Sequence, residues 1–158
     1  MSTRPDFSHE RATRPDQADA GSGIGIAAGT KLFTLQGIVP VERVRAGDRI
    51  VSRRAGATRV AHVIVERSQG PLLWIAAGAL GRGKPEEEIL LPPSQNVLLR
   101  DGGDTSLVPA HSLVGREGIG WHMPERPIRL VTLVFDVPQV LYAGGLELES
   151  GVETMRAA

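Results

Sequence analysis

The chain has 158 residues, enough for one domain with a core of its own. It contains no cysteine, which excludes disulfides, thiolate metal sites and cysteine nucleophiles. Its 18 Lys and Arg balance its 18 Asp and Glu, so the electrostatic drive behind a dedicated nucleic-acid or membrane-surface binder is missing.

Residues 1–20 are polar, with Phe7 as the one aromatic group. Such a segment buries too little to offset its ordering entropy, so a flexible tail is predicted over 1–23, with Gly21-Ser22-Gly23 as its hinge. These residues lack the apolar core of a signal peptide, and no run in the chain reaches the roughly 18 apolar residues of a spanning helix. A cytoplasmic location is the default expectation, with export by a non-classical route left open. From Ile24 onward the texture changes. Short runs rich in Val, Ile and Leu recur at 31–35, 49–52, 59–65, 72–75, 89–91, 97–99, 128–135 and 140–142, separated by Gly, Pro and Asp. They are too short for helices, and the spacing predicts an all-β domain over 24–151, followed by a short tail at 152–158. Asp101-Gly102-Gly103-Asp104, between two apolar runs, predicts a tight hairpin.

A short internal repeat is present. Ile38-Val39-Pro40-Val41-Glu42-Arg43-Val44 resembles Leu107-Val108-Pro109-Ala110-His111-Ser112-Leu113, and each follows a strand and turn. Each places a proline at the expected first position of a single helical turn, where its missing N–H costs nothing. Two such units predict pseudo-twofold symmetry with short helical turns. A chance match of short apolar motifs, or an unrelated barrel or sandwich, is the alternative.

The motifs that suggest small-molecule chemistry fail on context. Gly23-Ile24-Gly25-Ile26-Ala27-Ala28 fits a dinucleotide fingerprint, but no strand precedes it and no helix follows. Residues 78–84 have phosphate-loop spacing, yet Pro85 stands where the magnesium-binding hydroxyl belongs, and Glu86-Glu87-Glu88 would repel phosphate. His9, His62, His111 and His122 lack metal-ligand spacing, so neither a metal nor a cofactor is expected. A Ser112, His111 and Asp136 triad can be drawn, but it lacks a nucleophile elbow. Arg53-Arg54 reads as a solvated face.

Residues 29–50 read Gly-Thr-Lys-Leu-Phe-Thr-Leu-Gln-Gly-Ile-Val-Pro-Val-Glu-Arg-Val-Arg-Ala-Gly-Asp-Arg-Ile. This segment resembles the opening block of Hint (hedgehog/intein) domains of the stand-alone bacterial type. Blocks at 76–81, 90–99, 107–114 and 133–150 are similar to later parts of that family, in the right order. The resemblance implies an all-β, pseudo-twofold horseshoe. It also implies a self-cleaving chemistry, in which a Cys or Ser four residues before the Gly-Thr pair attacks the preceding carbonyl and a histidine protonates the departing amide. In this chain Gly25 stands at the first place and Gln95 at the second, aligned on Val97-Leu98-Leu99. Gln donates hydrogen bonds but cannot deliver a proton. Splicing members end in an asparagine, whereas Asn96 lies mid-chain; where related domains place a histidine near Phe135-Asp136, Thr132 and Pro138 stand instead.

The resulting expectation is a Hint-type domain degenerate for self-cleavage, acting as a binding module for an unknown protein or peptide, of unspecified oligomeric state. No catalytic residue is expected. Thr30 and Asp136 match family motif positions and are the candidates for lining the vestigial site, with His111 a third. Gly29, Gly37, Pro40, Gly47 and Asp48 are assigned to turns and to the helical-turn start. The alternative is autoprocessing by an N–O acyl shift through Ser22 or Thr30. Ser22 lies about 10 Å from Gly25 along an extended chain, a misplacement large enough to cost orders of magnitude in rate.

Overall fold

The computed structural model describes residues 23–153. The predicted N-terminal tail, Gly23 excepted, lies outside the described residues, as do Ser22 and residues 154–158.

Fifteen strands are described: β1 Ile26–Ala27, β2 Lys31–Thr34, β3 Gly37–Pro40, β4 Arg49–Ser52, β5 Gly56–Arg59, β6 His62–Ser68, β7 Leu72–Ile75, β8 Ile89–Leu91, β9 Asn96–Asp101, β10 Asp104–Pro109, β11 Ile119–His122, β12 Ile128–Phe135, β13 Val140–Ala143, β14 Leu146–Glu149 and β15 Gly151–Val152. Single helical turns at Val41–Arg43 and Ala110–Leu113 follow β3 and β10. The fold is all-β, as the apolar runs predict. The Asp101–Asp104 hairpin closes through Gly102 and Gly103, at φ 63° and 103°, a backbone that favours glycine at both positions.

Some boundaries differ from the sequence reading. The run at 59–65 is broken rather than one strand. Val60 is buried, and it is pinned between strands by Gly47 N–H to Val60 O at 2.8 Å and Val60 N–H to Asp48 O at 2.9 Å. Only after it does β6 begin. β14 was not among the predicted runs, although Leu146 and Leu148 turn inward while Glu147 and Glu149 turn out, the alternation of a half-buried strand. β11, broken by Gly120, lacks such a pattern. At the C-terminal end the boundary expected at 151 falls inside β15, and the Glu153 carboxylate meets His62 Nε2 at 2.9 Å.

The strands form three sheets. The largest runs β10-β9-β14-β13-β2-β4-β5, with β3 on β2. A three-stranded sheet runs β11-β7-β8. In the third, β12 is central. It pairs antiparallel with β6 from Ile128 to Val134. β1 (Ile26 opposite Val131) and the parallel β15 (Gly151 opposite Val134) also pair with it. Leu32, Ile50, Leu73, Leu91, Val97, Leu113, Val131, Leu141 and Leu148 belong to one core cluster that draws on all three sheets. Fully burying each such side chain is worth roughly 1.5–3 kcal/mol.

The predicted repeat is a real structural repeat. In the first unit, Val41 N–H bonds to Thr30 O at 2.9 Å; in the second, Ala110 N–H bonds to Gln95 O at 2.8 Å. Lys31 faces Pro40 and Asn96 faces Pro109. Leu32 and Val97 are both buried, as are Val41 and Ala110, and Val44 and Leu113. Leu32 pairs with Ala143 and Val97 with Leu148, so the units dock on adjacent strands of one hairpin. Each proline sits one position earlier than predicted. Pro40 and Pro109 have extended backbones (ψ 140° and 145°) and cap the turn as the last residue of their strand. Superposing the units makes Thr30 the counterpart of Gln95, and Glu42 the counterpart of His111.

Candidate functional site

The β1–β12 pairing carries the chain at Ile24 and Gly25 along the edge of β12, and the start of the second repeat unit brings Gln95 to the same place. Gln95 is about as buried as any polar residue here, at 1% exposure. Its Oε1 accepts from Gly25 N–H at 3.0 Å, and its Nε2 donates to Glu149 O at 2.8 Å and Asn96 O at 3.0 Å. One acceptor and two donors thus meet one N–H and two carbonyls, which fixes the amide orientation. Buried Thr132, on β12, places Oγ1 3.4 Å from Ile24 O, a long hydrogen bond. The Ile24–Gly25 peptide is therefore gripped at both ends, its N–H by Gln95 and its carbonyl by Thr132.

Gly25 is buried and has φ 143°. A Cβ built there would stand 3.0 Å from Leu130 Cβ and 3.4 Å from Thr132 Oγ1. A residue with a side chain would thus meet both an unfavourable backbone and a crowded wall. Gly25 itself carries no side chain, and a Cβ there is crowded in this conformation.

A sequence profile of the Hint domain matches residues 24–155, which is most of the chain. This chain belongs to the Hint domain family. Solved structures agree on the fold of this Hint domain. The solution structure of a bacterial intein-like domain from Clostridium thermocellum is similar over 80% of this chain and 97% of its own, at 20% identity and a TM-score of 0.61. The TvoVMA intein is similar over 82% of this chain and 98% of its own, at 11% identity and a TM-score of 0.59. The AceL NrdHF class 3 split intein, a splice-inactive variant, is similar over 80% and 97%, at 13% identity and a TM-score of 0.57. No curated protein sequence matches this Hint domain at a significant level.

The two positions that the family resemblance singled out, Gly25 and Gln95, meet through a direct hydrogen bond. Thr132, noted in the sequence only as a departure from an expected histidine, joins them. The three named site candidates do not gather there. Thr30 is half-buried and lines a separate cleft. Asp136 is exposed in the turn after β12. His111 is exposed on the second helical turn, anchored through its backbone N–H to Pro93 O at 3.0 Å. No local motif marks Thr132. Its signal is its register on β12, one residue past Val131, the partner of Ile26.

Of the turn residues assigned from the sequence, Gly29 and Asp48 close turns, whereas Pro40 caps the helical turn instead of starting it. Gly29, at φ 95°, donates its N–H to Glu42 Oε1 at 2.7 Å. That bond is the main reason the Glu42 carboxyl is held below the usual range; its own N–H, Arg129 and Arg43 add to the effect, and partial burial opposes it. Asp48 Oδ2 accepts from Arg45 N–H at 2.9 Å and closes the turn before β4.

The cleft that Thr30 lines has a volume of about 610 Å³. It is lined by Ala27, Ala28, Gly29 and Lys31 near β1 and β2, by Glu86-Glu87-Glu88, Ile89 and Leu90 at β8, and by Trp74, Trp121, His122 and Gly144.

Proposed function

We propose that this Hint domain does not cut its own chain and acts as a binding module. The observation that supports this reading best is the hydrogen bond from Gly25 N–H to Gln95 Oε1. An amide cleavage needs a proton delivered to that nitrogen as the C–N bond breaks. Here the group facing the nitrogen is an acceptor with no titratable proton, and it already takes the nitrogen's own hydrogen. The acyl shift that the family resemblance implies attacks the Ile24 carbonyl with a nucleophile on the next residue. Gly25 carries none, and its backbone (φ 143°) disfavours one. Removing acid and nucleophile together removes the two groups that would make an acyl shift productive.

The competing reading, an N–O acyl shift through Thr30 or Ser22, would have the hydroxyl oxygen bond to a carbonyl carbon as the amide nitrogen leaves with a proton. Thr30 is separated from Ile24 by β1 and lines the other cleft. Intact mass spectrometry of the full chain, incubated with and without hydroxylamine, tests the proposal. A single species of full mass in both arms is expected. Loss of about the first two dozen residues at a defined bond, abolished by Ser22→Ala or Thr30→Ala, overturns it.

A further inference from the structure

Among the described residues, the sheet edges of this domain are not alike. β3 ends in Pro40 and β10 in Pro109, β5 begins with Gly56, β11 contains Gly120, and β1, β8 and β15 have three residues or fewer. Short strands, and strands carrying proline or glycine, are poor templates for further pairing. β6 is the exception. It runs for seven residues, His62-Val63-Ile64-Val65-Glu66-Arg67-Ser68, without proline, glycine or lysine. β12 covers one side of it, and no described strand pairs with the other.

Two hydrogen bonds on β12 fix the phase of that free edge. Ala28 N–H donates to Arg129 O at 2.9 Å, so Arg129 and, by alternation, Val131 and Leu133 turn their backbone groups towards β1. Ala61 N–H donates to Val134 O at 2.8 Å, so Val134, Thr132 and Leu130 turn theirs towards β6. Thr132 pairs with Ile64 and Leu130 with Glu66, which satisfies those two residues of β6. Val63, Val65 and Arg67 alternate with them and aim N–H and C=O away from β12. Those outward groups have no hydrogen-bond partner among the described residues. Val65, the middle of the three, is 56% exposed.

We propose that β6 pairs antiparallel with β6 of a second copy of this chain, about a twofold axis through Val65, so that the sheet built on β12 continues across two molecules. This register matches all three outward residues. Val65 faces its own counterpart, and Val63 faces Arg67 in both directions, for about six backbone hydrogen bonds in all. On the neighbouring positions Ile64 meets Glu66, so no like charges stand directly opposite. Moving the axis one residue towards Ser68 sets Glu66 against Glu66, a destabilising pair. Moving it one residue towards His62 leaves Arg67 beyond the end of the partner strand. A foreign strand would have to bring the same phase and avoid both charges, whereas a second β6 does so by symmetry. The dimer goes beyond the binding-module reading and stands whether or not the chain cuts itself.

One strand pair is a small contact, so association should be weak and concentration-dependent. Sedimentation equilibrium of the full chain tests it. The mean mass is expected to climb from 16.9 kDa towards twice that value as concentration rises from about 10 μM to about 1 mM. Val65→Lys sets two cations together on the axis at an exposed position. It should weaken the dimer at least about tenfold, with an unchanged melting transition. Cysteine gives a second readout, since the chain has none of its own. Opposed residues of a hydrogen-bonded pair have Cα atoms about 5.5 Å apart, within disulfide reach. Val65→Cys should therefore cross-link to itself under mild oxidant. Arg67→Cys should not, because its two copies would lie about 13 Å apart along the strands. A mixture of Val63→Cys and Arg67→Cys chains should link as heterodimers. If Val65→Lys lowers the melting transition, the cysteine pattern decides. A monomer throughout the concentration range, a dimer unaffected by a folded Val65→Lys variant, or equal cross-linking of Val65→Cys and Arg67→Cys overturns the proposal.

Discussion

Thr30 and Gln95 occupy equivalent places in the two repeat units, and their backbones do the same work. Each carbonyl accepts the first N–H of its unit's helical turn, at 2.9 and 2.8 Å. Their side chains have opposite fates. Gln95 turns into the packed interior and satisfies three backbone groups, whereas Thr30 turns towards an open cleft. The neighbouring positions diverge as well. Glu42 ties its turn to Gly29 through a carboxylate, while its counterpart His111 does so through its backbone N–H to Pro93. A duplicated backbone scaffold fixes where a residue stands. The chemistry of that place is set by the side chain and by what the rest of the fold lays over it.

The contrast can be broken or sharpened by substitution. The largest effect is expected at Gln95. Gln95→Ala strands Gly25 N–H and the carbonyls of Asn96 and Glu149 in a buried site. The cost should be about 3–5 kcal/mol, read by urea unfolding, or a fall of about 10–20 °C in Tm by calorimetry. Equal stability of wild type and variant would show that Gln95 is not the clamp described above.

Next comes Gly25. Gly25→Cys meets the Leu130 wall at 3.0 Å and a backbone at φ 143°, so a loss of about 1–3 kcal/mol is expected. Combining it with Gln95→His restores the residue types of active family members. Nevertheless no cleavage is expected by intact mass, because the backbone at Gly25 is set for a residue without a side chain. Cleavage in the double variant would mean that only side chains were lost.

Thr30→Ala, the counterpart of Gln95→Ala, should cost less than about 1 kcal/mol in the same unfolding assay, since its side chain faces the cleft. A loss matching that of Gln95→Ala would erase the distinction between the units.

The smallest effect is the acid dependence of the first unit. The Glu42 carboxyl titrates below its ordinary range in the fold. Its contribution is therefore full above the unfolded value and is lost as pH falls through the lower folded value. Wild type should exceed Glu42→Gln in midpoint denaturant at neutral pH, and the gap should close below about pH 4. A gap that persists in acid would remove the carboxylate from the account.

Much of this was legible in the sequence, and the reasons are local. Paired apolar runs, Gly102-Gly103 at a hairpin tip and the Pro40 and Pro109 motifs are short-range signals, and they yield strands, a turn and the repeat. Gly25 and Gln95 were found by family resemblance. Their hydrogen bond spans 70 positions, and no periodicity reports that. Thr132 was seen as a missing histidine but not as a contact, because its place depends on which strand β1 chooses. The cleft was missed altogether. Its walls come from β1, β7, β8 and β11, and β11 has no run of its own to announce it. The glutamates that rule out phosphate in residues 78–84 are, once folded, the rim of that cleft.

The two outermost strands share one side of β12. β1 begins its pairing opposite Val131 and β15 ends its own opposite Phe135, so the described chain enters and leaves about 13 Å apart along β12, at some 3.3 Å per residue. Close attachment points let a folded unit sit within a loop of a larger protein while the host's own fold continues around it. A tether on each side would be held at that short spacing for as long as β12 keeps both neighbours, whether or not any bond in the backbone is ever broken.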